Sequence, residues 1–200
     1  MEKIQAQYKP EDLIFKADLS HTDFTERQLK YSLKALLSKK FLTHVATGIY
    51  CYYGQSFSDQ EIFTQKYLLR NRQAIGYFSG ASFAYSIGLI NEAPATQMIV
   101  TNQEAWFSWR RKTLGSVSFC LKGSKVPVTN DNHANLALLD FLKDPTACSE
   151  YSETETDRIL ATYIHEHNIT MENTSPYLSV YPSDIQTRFE NLIHPQEELV

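Results

Sequence analysis

Residues 24–52, FTERQLKYSLKALLSKKFLTHVATGIYCY, constrain the fold more than any other stretch, because a helix signal and a hairpin signal sit back to back in them. Thr25 followed three positions on by Gln28 spells a capping box, in which the hydroxyl accepts from a first-turn amide and the Gln side chain reaches back to the cap. Phe24 and Leu29 flank it as a hydrophobic staple. Leu29, Leu33, Leu36 and Leu37 recur at helical spacing and form one apolar stripe that demands burial. Arg27, Lys30, Tyr31 and Lys34 share the opposite face, and Lys39 and Lys40 end the helix where cations suit its dipole. Beyond it, residues 41–45 and 49–53 are short β-branched or aromatic runs separated by Ala46-Thr47-Gly48, which predicts a hairpin with Gly at the turn. A capped helix running into a small hairpin is the order of recognition helix and wing in a winged helix-turn-helix. The same basic face also suits a plain solvated helix, and charge alone does not separate the two.

The preceding residues supply partners for that stripe. Residues 2–8 predict a short helix stopped by Pro10, Leu13-Ile14-Phe15 a small strand, residues 16–20 a second short helix, and His21-Thr22-Asp23 a turn. Residues 1–54 thus read as a winged helix-turn-helix, and residues 55–200 as a second, α+β domain. In the latter, Ser58 and Glu61 form another capping box, opening a helix expected to run to Asn71. A strand over 74–78, a Ser79-Gly80 turn, a helix over 81–89 and a strand over 97–101 follow. Further strands are expected over 105–109 and 115–121 with Arg110-Arg111-Lys112 between them, then helices over 132–142, 155–167 and 183–193. The fold class is therefore α+β.

Charge is uneven. Residues 20–54 carry five Lys and Arg against two Asp and Glu, whereas residues 55–200 carry eleven against seventeen, within an overall net charge of −4. A modest basic end on an acidic body allows phosphate contact at one place and discourages it elsewhere. Cys51, Cys120 and Cys148 are an odd count with no Cys-x-x-Cys pair, which fits a reducing cytoplasm and argues against a disulfide framework or a zinc site. The N-terminus lacks an apolar signal region and no run reaches bilayer length, so a cytoplasmic protein with no membrane association is expected.

Enzyme signatures are weak. Gly80-Ala81-Ser82-Phe83-Ala84 sits where a nucleophile elbow would, but its last Gly is Ala and the predicted strands do not make a hydrolase sheet. His165 and His167 point in different directions from one helix and do not clamp a metal as an i, i+4 pair would, and Asp131, His133 and Asp140 lack a ligand partner. No phosphate-cradling Gly-rich loop occurs. No catalytic group, metal or cofactor is expected.

The wing ending GIYCY, followed by a helix and then YFSGASFAYSIGLINEAPATQMIVTN, resembles the AbiEi-type antitoxins of type IV toxin–antitoxin systems over roughly residues 10–145. In that family the segment after the wing reads as strand, small-residue turn, helix ending in Gly-Leu, a loop with Pro, and a strand ending in Thr. Here these are residues 75–78, Ser79-Gly80, residues 81–89 with Gly88-Leu89, Pro94, and residues 98–101. The resemblance implies a winged-helix repressor that binds operator DNA of its own promoter and counters a nucleotidyltransferase toxin, often without a tight complex. The chain departs from the family in carrying few Arg on its recognition helix.

Together these readings nominate Thr25, Arg27, Gln28, Lys30, Tyr31 and Lys34 on the helix and His44 and Thr47 on the wing as DNA-contacting residues, acting in a possible homodimer. Trp106, Trp109, Arg110, Arg111 and Lys112 bring aromatics and cations together as a second nucleic-acid or partner surface. The alternative there is a hairpin that buries its Trp residues and exposes its basic ones. For the whole chain, the alternative function is a protein-interaction module that keeps the winged fold but binds a partner protein.

Overall fold

The computed structural model describes residues 4, 7–19, 25–145 and 148–194. Among them the chain forms eight helices and three sheets, a mixed α+β architecture, divided into two compact units, Met1–Gln65 and Lys66–Val200.

The first unit is organised by the strand β1 (Ile14–Phe15), the short helix α1 (Lys16–Leu19), the helix α2 (Glu26–Ser38), and the hairpin β2 (Leu42–Ala46) and β3 (Ile49–Tyr52). The expected first helix falls partly outside the described residues, where Ile4 and Gln7 are helical; Phe24 of the staple and the turn at His21-Thr22-Asp23 lie outside them altogether. The Thr25 capping box forms in full: the Gln28 side-chain oxygen accepts the Thr25 amide at 2.8 Å, and the Thr25 hydroxyl accepts the Gln28 amide at 3.3 Å. At its other end α2 closes without glycine. Lys40 takes a left-handed φ of 56°, and the Lys40 and Phe41 amides return to the Leu37 and Leu36 carbonyls at 3.1 and 2.9 Å. Leu29 and Leu33 bury with Ile14, Leu19 and Leu42, while Leu36 and Leu37 pack at the edge of that cluster.

Strand order in this sheet is β1-β3-β2, all antiparallel. His44 stands opposite Tyr50 and Ala46 opposite Ile49, which leaves Val45 as a bulge where the hairpin twists. Gly48 turns the hairpin at φ 72°, a conformation L side chains resist. Its carbonyl accepts the Lys16 amide at 2.8 Å, tying the start of α1 to the hairpin tip.

Helix α3 (Asp59–Tyr67) is capped by Ser58 and Glu61 and contains the boundary between the units. It stops at Tyr67 rather than Asn71. Asn71 and Arg72 adopt φ of 50° and 64°, and this tight left-handed turn folds β4 (Leu69–Arg70) back on β5 (Gln73–Ala74). The strand expected over 74–78 is consequently split between β5 and β6 (Gly76–Phe78).

The second unit is built on a four-stranded sheet of order β6-β7-β9-β8, with β7 (Gln97–Thr101) and β9 (Val117–Gly123) parallel and the other pairs antiparallel. Strand β8 is Arg110–Leu114, so the basic triplet expected between strands is itself the edge strand, and residues 105–109 are the loop before it. Helix α4 (Gly80–Ser86) ends in Gly88 at φ 79°, with the Leu89 amide returned to the Ala84 carbonyl at 2.8 Å. Helices α5 (His133–Phe141), α6 (Glu153–Glu166), α7 (Met171–Leu178) and α8 (Ser183–Ile193) complete the unit. Its core joins Tyr77 and Val100 of the sheet to Phe83, Leu138, Leu160 and Phe189 of the helices.

Candidate nucleic-acid interface

Cleft-lining residues of the first unit come from α1, α2 and the hairpin. Lys30, Leu33, Lys34 and Leu37 from α2, Lys16 and Glu26 from the helix starts, and His44, Thr47, Gly48 and Tyr50 from the hairpin enclose about 610 Å³. The sequence periodicity explains one wall, since Lys30 and Lys34 are one turn apart and Leu33 and Leu37 lie beside them. The hairpin supplies the other: alternation places His44 and Tyr50 as cross-strand partners, their rings edge to face at 5.4 Å between centroids.

Four nominated residues, Lys30, Lys34, His44 and Thr47, are thus brought to one cleft. Arg27 and Tyr31 are not in it. They form a separate exposed pair on α2, the guanidinium 5.8 Å from the Tyr31 ring centre, with Tyr31 61% exposed. Thr25 and Gln28 are exposed, but the Gln28 oxygen is occupied by the Thr25 amide and hydroxyl at 2.8 and 2.9 Å, so both are primarily a helix cap. Lys16 is the cleft residue that sequence reasoning missed. No spacing rule connects it to α2; its place comes from the backbone bond to Gly48, and its ammonium pairs with Glu26 at 3.3 Å. Three lysines and one glutamate leave the cleft cationic.

In the second unit, the Trp residues are not buried: Trp106 is 55% exposed, Phe107 63%, and Trp109 is also open. The alternative of a hairpin with core-facing Trp side chains is therefore incorrect. These residues sit in the loop before β8, outside the pleat that would turn them inward. Arg110 lies over the Trp106 ring at 4.2 Å and Lys122 over Trp109 at 4.7 Å, while Lys112 is ion-paired with Glu104. Arg110, Arg111 and Lys112 are exposed along an edge strand, where charge discourages pairing with another strand. Phe107 was not nominated from sequence, although it stands between the two Trp residues.

The Ser82 hydroxyl of the elbow-like stretch and the neighbouring Ser79 hydroxyl both have structural partners. Ser82 Oγ accepts the Met98 amide at 2.8 Å, and Ser79 Oγ donates to Asp140 at 2.9 Å, both serines being buried. His167 lies 6.5 Å from His133, ring centre to ring centre, beside a groove of about 870 Å³; burial, then His133, lowers its pKa, against a smaller opposite pull from Glu166. Among the described residues no group of three or more His, Cys, Asp or Glu is placed to hold a metal, and no helix is long and apolar enough to cross a membrane.

Neither a scan of protein-family models nor a search of curated proteins finds a match to this chain.

Proposed function

We propose that the first unit is a winged helix that binds operator DNA, and that the chain is a non-enzymatic, cytoplasmic antitoxin and autoregulator of a type IV toxin–antitoxin operon. The observation that carries this reading is the cationic cleft between α2 and the hairpin, with Lys30 and Lys34 on one wall and His44 and Thr47 on the other. In a winged helix the recognition helix enters the major groove while the wing follows the adjacent backbone. Arg27 and Tyr31, exposed on α2, then meet base edges or phosphate, and Lys16, Lys30, Lys34 and Thr47 hold the backbone against the cleft. The antitoxin role and the nucleotidyltransferase toxin as partner rest on the family resemblance.

The charge distribution argues for modest affinity. Over residues 1–65 eight basic residues meet eight acidic ones, so the basic character belongs to one face and not to the unit. Binding of this kind works best with two copies on repeated or palindromic half-sites. A mobility-shift assay with DNA from upstream of the gene tests the reading. A retarded complex is expected with the intact chain, weakened about tenfold or more in a Lys30→Ala, Lys34→Ala variant that melts normally. An unshifted probe would count against it.

The exposed Trp106 and Phe107 favour one second reading, a protein-interaction module that binds a partner through this surface. Co-purification with the product of the neighbouring gene, lost in Trp106→Ala and accompanied by no DNA shift, would select it.

A further inference from the structure

A small cavity of the second unit, about 240 Å³, is lined by Lys122, Lys125, Lys143, Asp140, Tyr77 and Tyr181 among others. Its charges do not cancel. Asp140, only 7% exposed, offers one oxygen to Lys122 at 3.2 Å and the other to Lys143, and accepts the Ser79 hydroxyl at 2.9 Å. One carboxylate therefore serves two ammonium groups, and Lys125 has no carboxylate partner among the described residues. Three cations facing one anion leave two positive charges in a concave, partly dehydrated space, where low-dielectric walls concentrate their field.

We propose that this cavity is a binding site for a phosphate group, either free phosphate or the terminal phosphate of a monoester. The cations are held in advance: Lys122 lies against the Trp109 ring at 4.7 Å and Lys143 against the Tyr181 ring at 4.9 Å. Ammonium groups with several N–H donors each match an oxygen-rich dianion better than a single carboxylate, while the Tyr181 hydroxyl in the same wall donates to the Leu136 carbonyl at 3.5 Å. A divalent cation is excluded by the same lysines. The volume lies below the roughly 300 Å³ at which pockets enclose a drug-sized molecule, so it accepts the phosphate and leaves any attached group outside. Burial lowers the proton affinity of Lys122 despite the adjacent carboxylate, as befits a cation that has only a share of its counter-charge.

Isothermal titration of the full chain with inorganic phosphate and, separately, with adenosine monophosphate, at constant ionic strength, tests the proposal. One equivalent of phosphate is expected to bind, with affinity reduced about tenfold in Lys125→Ala; that side chain is exposed, so the variant folds. Lys143→Met, verified as folded by its melting transition, weakens binding likewise, whereas Lys30→Ala, Lys34→Ala leaves it unchanged. Binding of both ligands identifies a monoester site, and binding of inorganic phosphate alone identifies a free-anion site. Absence of binding up to about 10 mM, or binding that neither Lys125→Ala nor Lys143→Met weakens, overturns the proposal.

Discussion

Asp140 shows how much one side chain decides. Burial alone would raise its pKa, but Lys122 and Lys143 outweigh that and hold the carboxylate below its ordinary value of 3.8. Because the folded pKa is the lower one, the stabilisation is fully present above the ordinary value and is lost as pH falls through the depressed one. Acid unfolding of Asp140→Asn should accordingly show a shallower pH dependence below about pH 4 than the natural chain. At neutral pH Asp140→Asn should cost about 3 kcal/mol by denaturant titration, since it strands Lys122 in a half-buried site. Thr25 acts on a smaller scale. Thr25→Ala removes one cap acceptor from α2 and should lower stability by about 1 kcal/mol. This cap was legible in the sequence because its two residues are close along the chain. The Asp140 cluster was not, because Ser79, Lys122 and Asp140 meet only after β6, β9 and α5 have packed.

Elements were readable where a local signal outweighed context. The α2 cap, the Gly48 turn and the β7 run QMIVT all carry their own instructions, and the structure places them over the expected residues. Strand β8 does not. Its sequence RRKTL has the polarity of a turn, and it is a strand because β9 offers a free edge while charge keeps its outer side solvated. Helix α7 was missed for a different reason, Pro176 in its interior. Proline removes an amide there, and the Ser175 hydroxyl donates at 3.2 Å to the Glu172 carbonyl that this amide would have reached. The Thr170–Asn173 capping box was the available signal. Gly123 at the end of β9 is an equally strict requirement, since a Cβ there would collide with the Glu104 carbonyl oxygen. Gly123→Ala should destabilise the second unit by about 3 kcal/mol, seen as a lower melting temperature.

At the scale of the molecule, the chain divides into its two compact units within α3, between Gln65 and Lys66, and the Gln65 side chain is tied into the first unit by accepting the Leu13 amide at 2.8 Å. This division sets the electrostatic picture. The first unit becomes neutral overall, and its cationic character is confined to the cleft and the Arg27–Tyr31 pair. The proposed DNA binding then depends on a few named side chains, which makes it open to a direct test. Fluorescence anisotropy of upstream DNA, titrated with the chain across a salt series, measures it. Log affinity should fall linearly with log salt, and Arg27→Ala, Lys34→Ala should give a weaker complex whose slope is shallower by about 2, one phosphate contact per lost cation. Binding that ignores salt, or a slope and affinity untouched by the double substitution, would contradict it.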